Sequence, residues 1–185
     1  GPLRDGLNAV QALKRNLDIW RDPSAQDAAN AIALCWLVHI TGVLHQPLHS
    51  VALFSQDLFP EGDRGGNLIK VRWGRETRNL HYVWDSLVDD ARDVDVSTAG
   101  LRATRHGGIE DATIDGWSRQ HANLARLSVY SGEVFAQLIA ARAAENLSPI
   151  SVSDAYLKHA RAISVRQLQL AGRRAAGLIL QSGTQ

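Results

Sequence analysis

The chain has 185 residues, 45% of them hydrophobic and 21% charged, with a formal net charge of +1. That length and composition suit one globular domain with a substantial core, and the near-neutral balance, without a strong basic field, weakens a stable duplex-DNA-binding role. It does not exclude an enzyme acting on nucleic acid, because a bound metal supplies positive charge locally. Cys35 is the only cysteine, so no intrachain disulfide forms and the compartment is not encoded in cysteine usage. No stretch reaches the roughly 20 apolar residues expected of a membrane span, and no secretory signal stands at residue 1. Methionine is absent even from the first position, so the chain reads as a fragment or a processed form.

In chain order, residues 6–20 place Val10, Leu13, Leu17 and Trp20 at helical steps, which predicts an amphipathic helix ended by Asp22-Pro23-Ser24. A second helix is expected from Ser24 or Ala25 to about Leu44; being apolar nearly all round, it should be buried. Pro47 should disturb or end it. Phe59 to Asn67 is loop chemistry, Leu68 to Trp73 alternates as a short strand, and Gly74 is placed to turn it. A helix restarts near Asn79. Residues 92–112 read as a loop with a short helix. Two further helices are expected over 113–145 and 153–182, with Thr113 or Asp115 capping the first and Ser151 or Ser153 the second. The sum is an all-α fold: a mainly helical single domain over 1–185 with one long loop and a small β-hairpin at most.

Four of the seven histidines fall between His39 and His81, in His39-Ile-Thr-Gly-Val-Leu-His45-Gln-Pro-Leu-His49 and Asn79-Leu-His81-Tyr-Val-Trp-Asp85, with the remainder downstream. Neutral imidazole and carboxylate together suit zinc. His81 and Asp85 are four apart and share a helix face. His45 and His49 straddle Pro47, so at least one lies off regular helix. A buried His39 needs a hydrogen-bond partner or a metal; taken singly, such histidines are more often packing or surface residues, and it is their clustering that points to a metal site. Asp63-Arg-Gly-Gly-Asn67 reads as a turn entering the strand, or as a loop whose glycines let the backbone approach a phosphate.

The order His-x-x-Gly-x-x-His-Gln-Pro-Leu-His, Gly-Gly-Asn, Asn-Leu-His-x-Val-Trp-Asp resembles the zinc-dependent single-strand nucleases typified by mung bean nuclease and its fungal relatives, within the phospholipase C/nuclease-like group. Trp117 to Tyr130 and Leu170 to Arg174 extend the resemblance, which spans about Gly6 to Leu180. It implies a helical fold, three zinc ions in a cleft, hydrolysis of phosphodiesters in single-stranded RNA and DNA, removal of 3′-phosphates from nucleotides, and a secreted or periplasmic protein. By the same resemblance His49, His81 and Asp85 are the ligands of one zinc and His39 is a ligand of the buried zinc. Asn67 is the catalytic asparagine beside the phosphate, and Gly66 with Asn67 forms the substrate-binding loop. His45 is expected beside the metals as a packing residue.

The departures are equally specific. Val43 stands where the family has an aspartate bridging two zincs, His121 stands where it usually has serine, and the family's leading segment of ligands has no counterpart, so one complete zinc site is expected. Three readings follow: a nuclease, a catalytically impaired homologue retaining one zinc, or a phosphoesterase acting on phospholipid headgroups, for which the apolar loop Val51 to Glu61 is suggestive.

Overall fold

The computed structural model describes residues 6–88, 113–143 and 148–180; the loop expected over 92–112 lies outside them. The first helix, α1 (Ala9–Arg21), begins at a reciprocal capping box in which Asn8 and Gln11 satisfy each other's backbone N–H. Its buried stripe, Leu13 and Leu17, meets Leu37, Ile40 and Leu44 of α2 (Asp27–His45) and Trp117. The helix ends one residue before Gln46, since Pro47 has no N–H with which to continue it.

One expectation about α2 needs correction. It is not buried all round: Ile32, Trp36 and Val38 stand exposed at 60%, 48% and 52%, because among the described residues only α1 and α6 (Asp154–Leu180) cover it extensively. Its 19 residues, at a mean hydropathy of 1.5, are long and apolar enough to cross a membrane by length and composition, a test that the core helix of a folded domain also passes. In this fold its last turn buries Thr41 and His45 against protein.

After a 3₁₀ turn at Pro47–His49, the hairpin β1 (Lys70–Trp73) and β2 (Glu76–Asn79) forms as read, turning at Gly74 with φ +62°. The small sheet is larger than a hairpin. Ile150 and Ser151 form β3, parallel to β1, which gives the order β2-β1-β3. A two-residue strand has no periodicity to read; the Gln137 carboxamide holds it by pairing with both the N–H and the C=O of Ser151. Helix α3 (Leu80–Ser86) follows β2 directly, capped by the Asn79 side chain on Tyr82 N.

The helix expected over 113–145 is two. Thr113 caps α4 (Ile114–Leu124), a π-helical turn runs from Ala125 to Val129, and α5 (Gly132–Ala143) starts anew. No proline marks the break. It falls where Tyr130 leaves the helix and donates its hydroxyl to the buried Asp63 at 2.7 Å, a tertiary contact beyond the reach of local propensity. Ser153 caps α6 on Tyr156 N. The main core packs Trp84, Leu80 and Val83 of α3 against Val71, Val129, Val134 and Tyr156. Trp84 donates to the Tyr156 hydroxyl, which in turn donates to Val129 O; α3 is thereby fixed at its middle, between His81 and Asp85.

Candidate metal centre

Three side chains from two elements converge on one point. The 3₁₀ turn ends in His49; α3 carries His81 and, one turn later, Asp85. Their ligand atoms lie within 4.8 Å of one another. His49 Nε2 is 3.4 Å from Asp85 Oδ1 and His81 Nε2 is 3.4 Å from Asp85 Oδ2. Ligands of a tetrahedral zinc, at bonds of roughly 2.1 Å, stand about 3.4 Å apart, so the donor set and its spacing fit that ion. The two imidazoles stack, with centroids 4.9 Å apart and planes 15° from parallel.

Each ligand is held from behind. His81 Nδ1 lies 2.7 Å from Gly65 O. A carbonyl only accepts, so Nδ1 carries a proton, which leaves Nε2 as the ring atom directed at Asp85 and available to a metal. Asp85 accepts from Gln46 Nε2 at 2.8 Å. Partial burial pushes the Asp85 carboxyl upward, but hydrogen bonds from His49 and Gln46 and the neighbouring imidazoles outweigh it, and the group rests below the usual carboxylate range. It is therefore ionised at neutral pH.

The carbonyl that holds His81 belongs to a tight loop. Asp63, fully buried, accepts from Leu53 N, Gly66 N and the Tyr130 hydroxyl. Arg64, Gly65 and Gly66 then run through three successive positive φ values. At Gly65 a Cβ would stand 2.5 Å from Leu48 O, so only glycine lets the loop press against the turn that carries His49. The same geometry revises the expected part of Gly66: its N–H is already donated to Asp63, and its close approach is to Leu48 and His81. Asn67 stands exposed at the loop rim, donating to Arg64 O and accepting from Asn79 Nδ2.

His39 is not brought into the three-residue group. It lies exposed on α2, edge-on to Trp36 at 5.8 Å. It does line the same cavity of about 410 Å³ as Val43, Gln46, His49 and Asp85. Val43, one helical turn beyond His39, gives that wall a side chain with no donor atom. Beneath the cavity, His45 is 2% exposed. Its Nδ1 is 2.6 Å from Thr41 O, and its Nε2 accepts from Arg174 at 2.9 Å. Burial drives His45 down to about 3, against the Thr41 bond, with His121 and Arg174 adding repulsion. His45 is thus the neutral packing residue expected. His121 meets it edge-on at 4.9 Å and is also pushed down, chiefly by burial. Arg174 additionally lies over the Trp117 ring, and burial lowers it to about 10.

Residue-level reading of the sequence passed over two contributors. Gln46 sat inside the first signature without an assigned role, and Asp63 sat inside the loop. Neither carries a periodicity signal; each is identified only by the partners that folding brings to it.

Comparison with known proteins gives a consistent picture. The family model described as S1/P1 Nuclease matches residues 4–182. Endonuclease 4 of Arabidopsis thaliana is 48% identical over 56 residues, 30% of this chain and 16% of that protein. Endonuclease 2 of the same plant is 38% identical over 69 residues, 37% of this chain and 21% of that protein. Nuclease S1 of Aspergillus oryzae is 41% identical over 64 residues, 35% of this chain and 18% of that protein. The matched segments thus span at most about a fifth of these relatives' own length.

Proposed function

The chain belongs to the S1/P1 nuclease family, and from that premise we propose that it is a zinc-dependent phosphodiester hydrolase acting on single-stranded nucleic acid or nucleotides, with His49, His81 and Asp85 as the ligands of one zinc. The observation that carries this reading is the geometry of those three residues, whose donor atoms are spaced for one ion and whose rear atoms are tied to Gly65 and Gln46. Bound there, zinc would supply an activated water and charge stabilisation for displacement at phosphorus.

The protein's own groups prepare that chemistry. The Gly65 carbonyl keeps the His81 proton on Nδ1, so Nε2 stays a donor of electrons. The depressed Asp85 carboxyl stays ionised. Asn67 is proposed beside the phosphate at the loop rim, with Gly66 letting the loop pack closely enough on Leu48 and His81 to place it there. His39 is proposed as the remaining ligand of a second position whose bridging carboxylate Val43 has replaced. A secreted or periplasmic location is proposed with the family reading.

The test joins elemental analysis with assays. Purified protein should contain zinc, added zinc should raise Tm by linkage, and single-stranded DNA or RNA should be cut in a chelator-sensitive way. Absence of zinc, with Tm unmoved by added metal, would sink the reading. One observation favours a second account: Val43 removes the device that holds two metals together. An impaired homologue would bind zinc and cut neither nucleic acid, and phosphatidylcholine as a parallel substrate separates a headgroup esterase from both.

A further inference from the structure

We infer that Gln46 is a positioning residue that fixes the Asp85 carboxylate for metal binding; the inference rests on the zinc reading of His49, His81 and Asp85. One carboxamide uses both of its ends. Its Oε1 accepts from Leu48 N and caps the 3₁₀ turn that ends in His49. Its Nε2 donates to Asp85 Oδ1 at 2.8 Å, across 39 residues of sequence. Only this orientation of the amide satisfies both partners, because a backbone N–H needs an acceptor and an ionised carboxylate needs a donor.

The arrangement couples two ligands that come from different elements. Asp85 Oδ1 is shared between Gln46 and His49 Nε2, while Oδ2 faces His81 Nε2. Asp85 has a side chain 44% exposed and lies 3.4 Å from each histidine, so the 2.8 Å bond from Gln46 is the tightest restraint on its rotation. Held by Gln46, it keeps one oxygen toward each histidine before any ion arrives, so less rotational freedom is lost on binding. A serine or asparagine suffices to cap a short turn. The length of glutamine lets one residue cap the turn and also reach α3. Gln46 is half-buried in the wall of the same cavity, beside His49 and Asp85.

The decisive variant is Gln46→Glu. It keeps an oxygen for Leu48 N, and with it the cap, but replaces the donor toward Asp85 with a second negative charge. Zinc affinity is measured by competition with a chromophoric chelator, apo-protein Tm by calorimetry, and coordination by the visible spectrum of the cobalt-substituted protein. The expected result is zinc binding weakened about 10- to 100-fold, with an altered cobalt spectrum and an apo Tm close to wild type. Should that variant fail to fold, Gln46→Asn keeps both amide groups but is one methylene too short to span them, and the same weakening is expected. Zinc binding within about twofold of wild type, or tighter, in the folded variant overturns the inference while leaving the zinc reading intact. A wild-type protein that takes up no zinc overturns both.

Discussion

His49 and His39 line one cavity ten residues apart in the same signature, yet they occupy opposite conditions. His49 ends a turn capped by Gln46, stacks on His81 and meets an ionised carboxylate. His39 lies exposed on a helix, against Trp36, with valine one turn ahead. A histidine becomes a ligand through what holds it and what completes it; residue type and shared cavity are insufficient. The most demanding test removes each in turn. His81→Ala should cut zinc affinity by at least about 100-fold and abolish the zinc-induced rise in Tm. His39→Ala should leave the affinity of that site within about twofold. Equal losses from the two substitutions, read by competition titration, would erase the distinction between the two sides of the cavity.

The next test concerns the loop behind the complete side. Gly65 and Gly74 both have φ near +60°, but a Cβ at Gly65 would strike Leu48 O whereas one at Gly74 meets nothing within 4 Å. Gly74→Ala should therefore cost about 1 kcal/mol from backbone conformation alone. Gly65→Ala should cost about 2–4 kcal/mol and also loosen zinc, since the Gly65 carbonyl holds His81. Urea unfolding of the metal-free variants reads the first effect. Equal costs at the two glycines would mean that the loop does not press on the His49 turn.

The buried layer below the cavity gives a smaller, pH-dependent effect. His45 has its folded-state value lowered to about 3, and His121 is lowered as well. A lowered histidine favours the folded state above its unfolded value of about 6.5, and that advantage is lost as pH falls from there toward the folded-state value. Metal-free protein should lose about 1.4 kcal/mol per pH unit for each proton taken up on unfolding. His121→Gln should flatten that slope between pH 6 and 4, roughly the interval below the unfolded histidine value. An unchanged slope would remove His121 from the linkage.

These contrasts also explain what was legible beforehand. Leu13 and Leu17 repeat at helical spacing, so α1 was readable. The hairpin followed from alternation and Gly74, and the His81/Asp85 pair from their separation of four. The family resemblance joined His49 to that pair. Exposure of Ile32, Trp36 and Val38 was not readable, because an apolar helix does not announce which faces its neighbours leave uncovered. The break at Tyr130 was hidden for a related reason: it depends on a hydroxyl reaching Asp63, 67 residues away. The donor contact of Gln46 to Asp85 is equally non-local. Local periodicity registered elements, and the contacts that aim the site lie between elements.

The smallest effect expected is the most specific to this chain. Val43→Asp places a carboxylate one helical turn after His39, both on the wall of the cavity that His49 and Asp85 also line. Residues four apart on a helix share a face and can chelate one ion. Two ligands hold zinc far less tightly than three with supported partners, so a second equivalent should bind only at higher zinc, with the first equivalent unaffected. Metal analysis after equilibrium dialysis over a zinc series should show stoichiometry rising from one toward two. If it stays at one throughout, valine is not what separates the two sides of the cavity, and the placement of His39 on α2 against Trp36 becomes the stronger explanation.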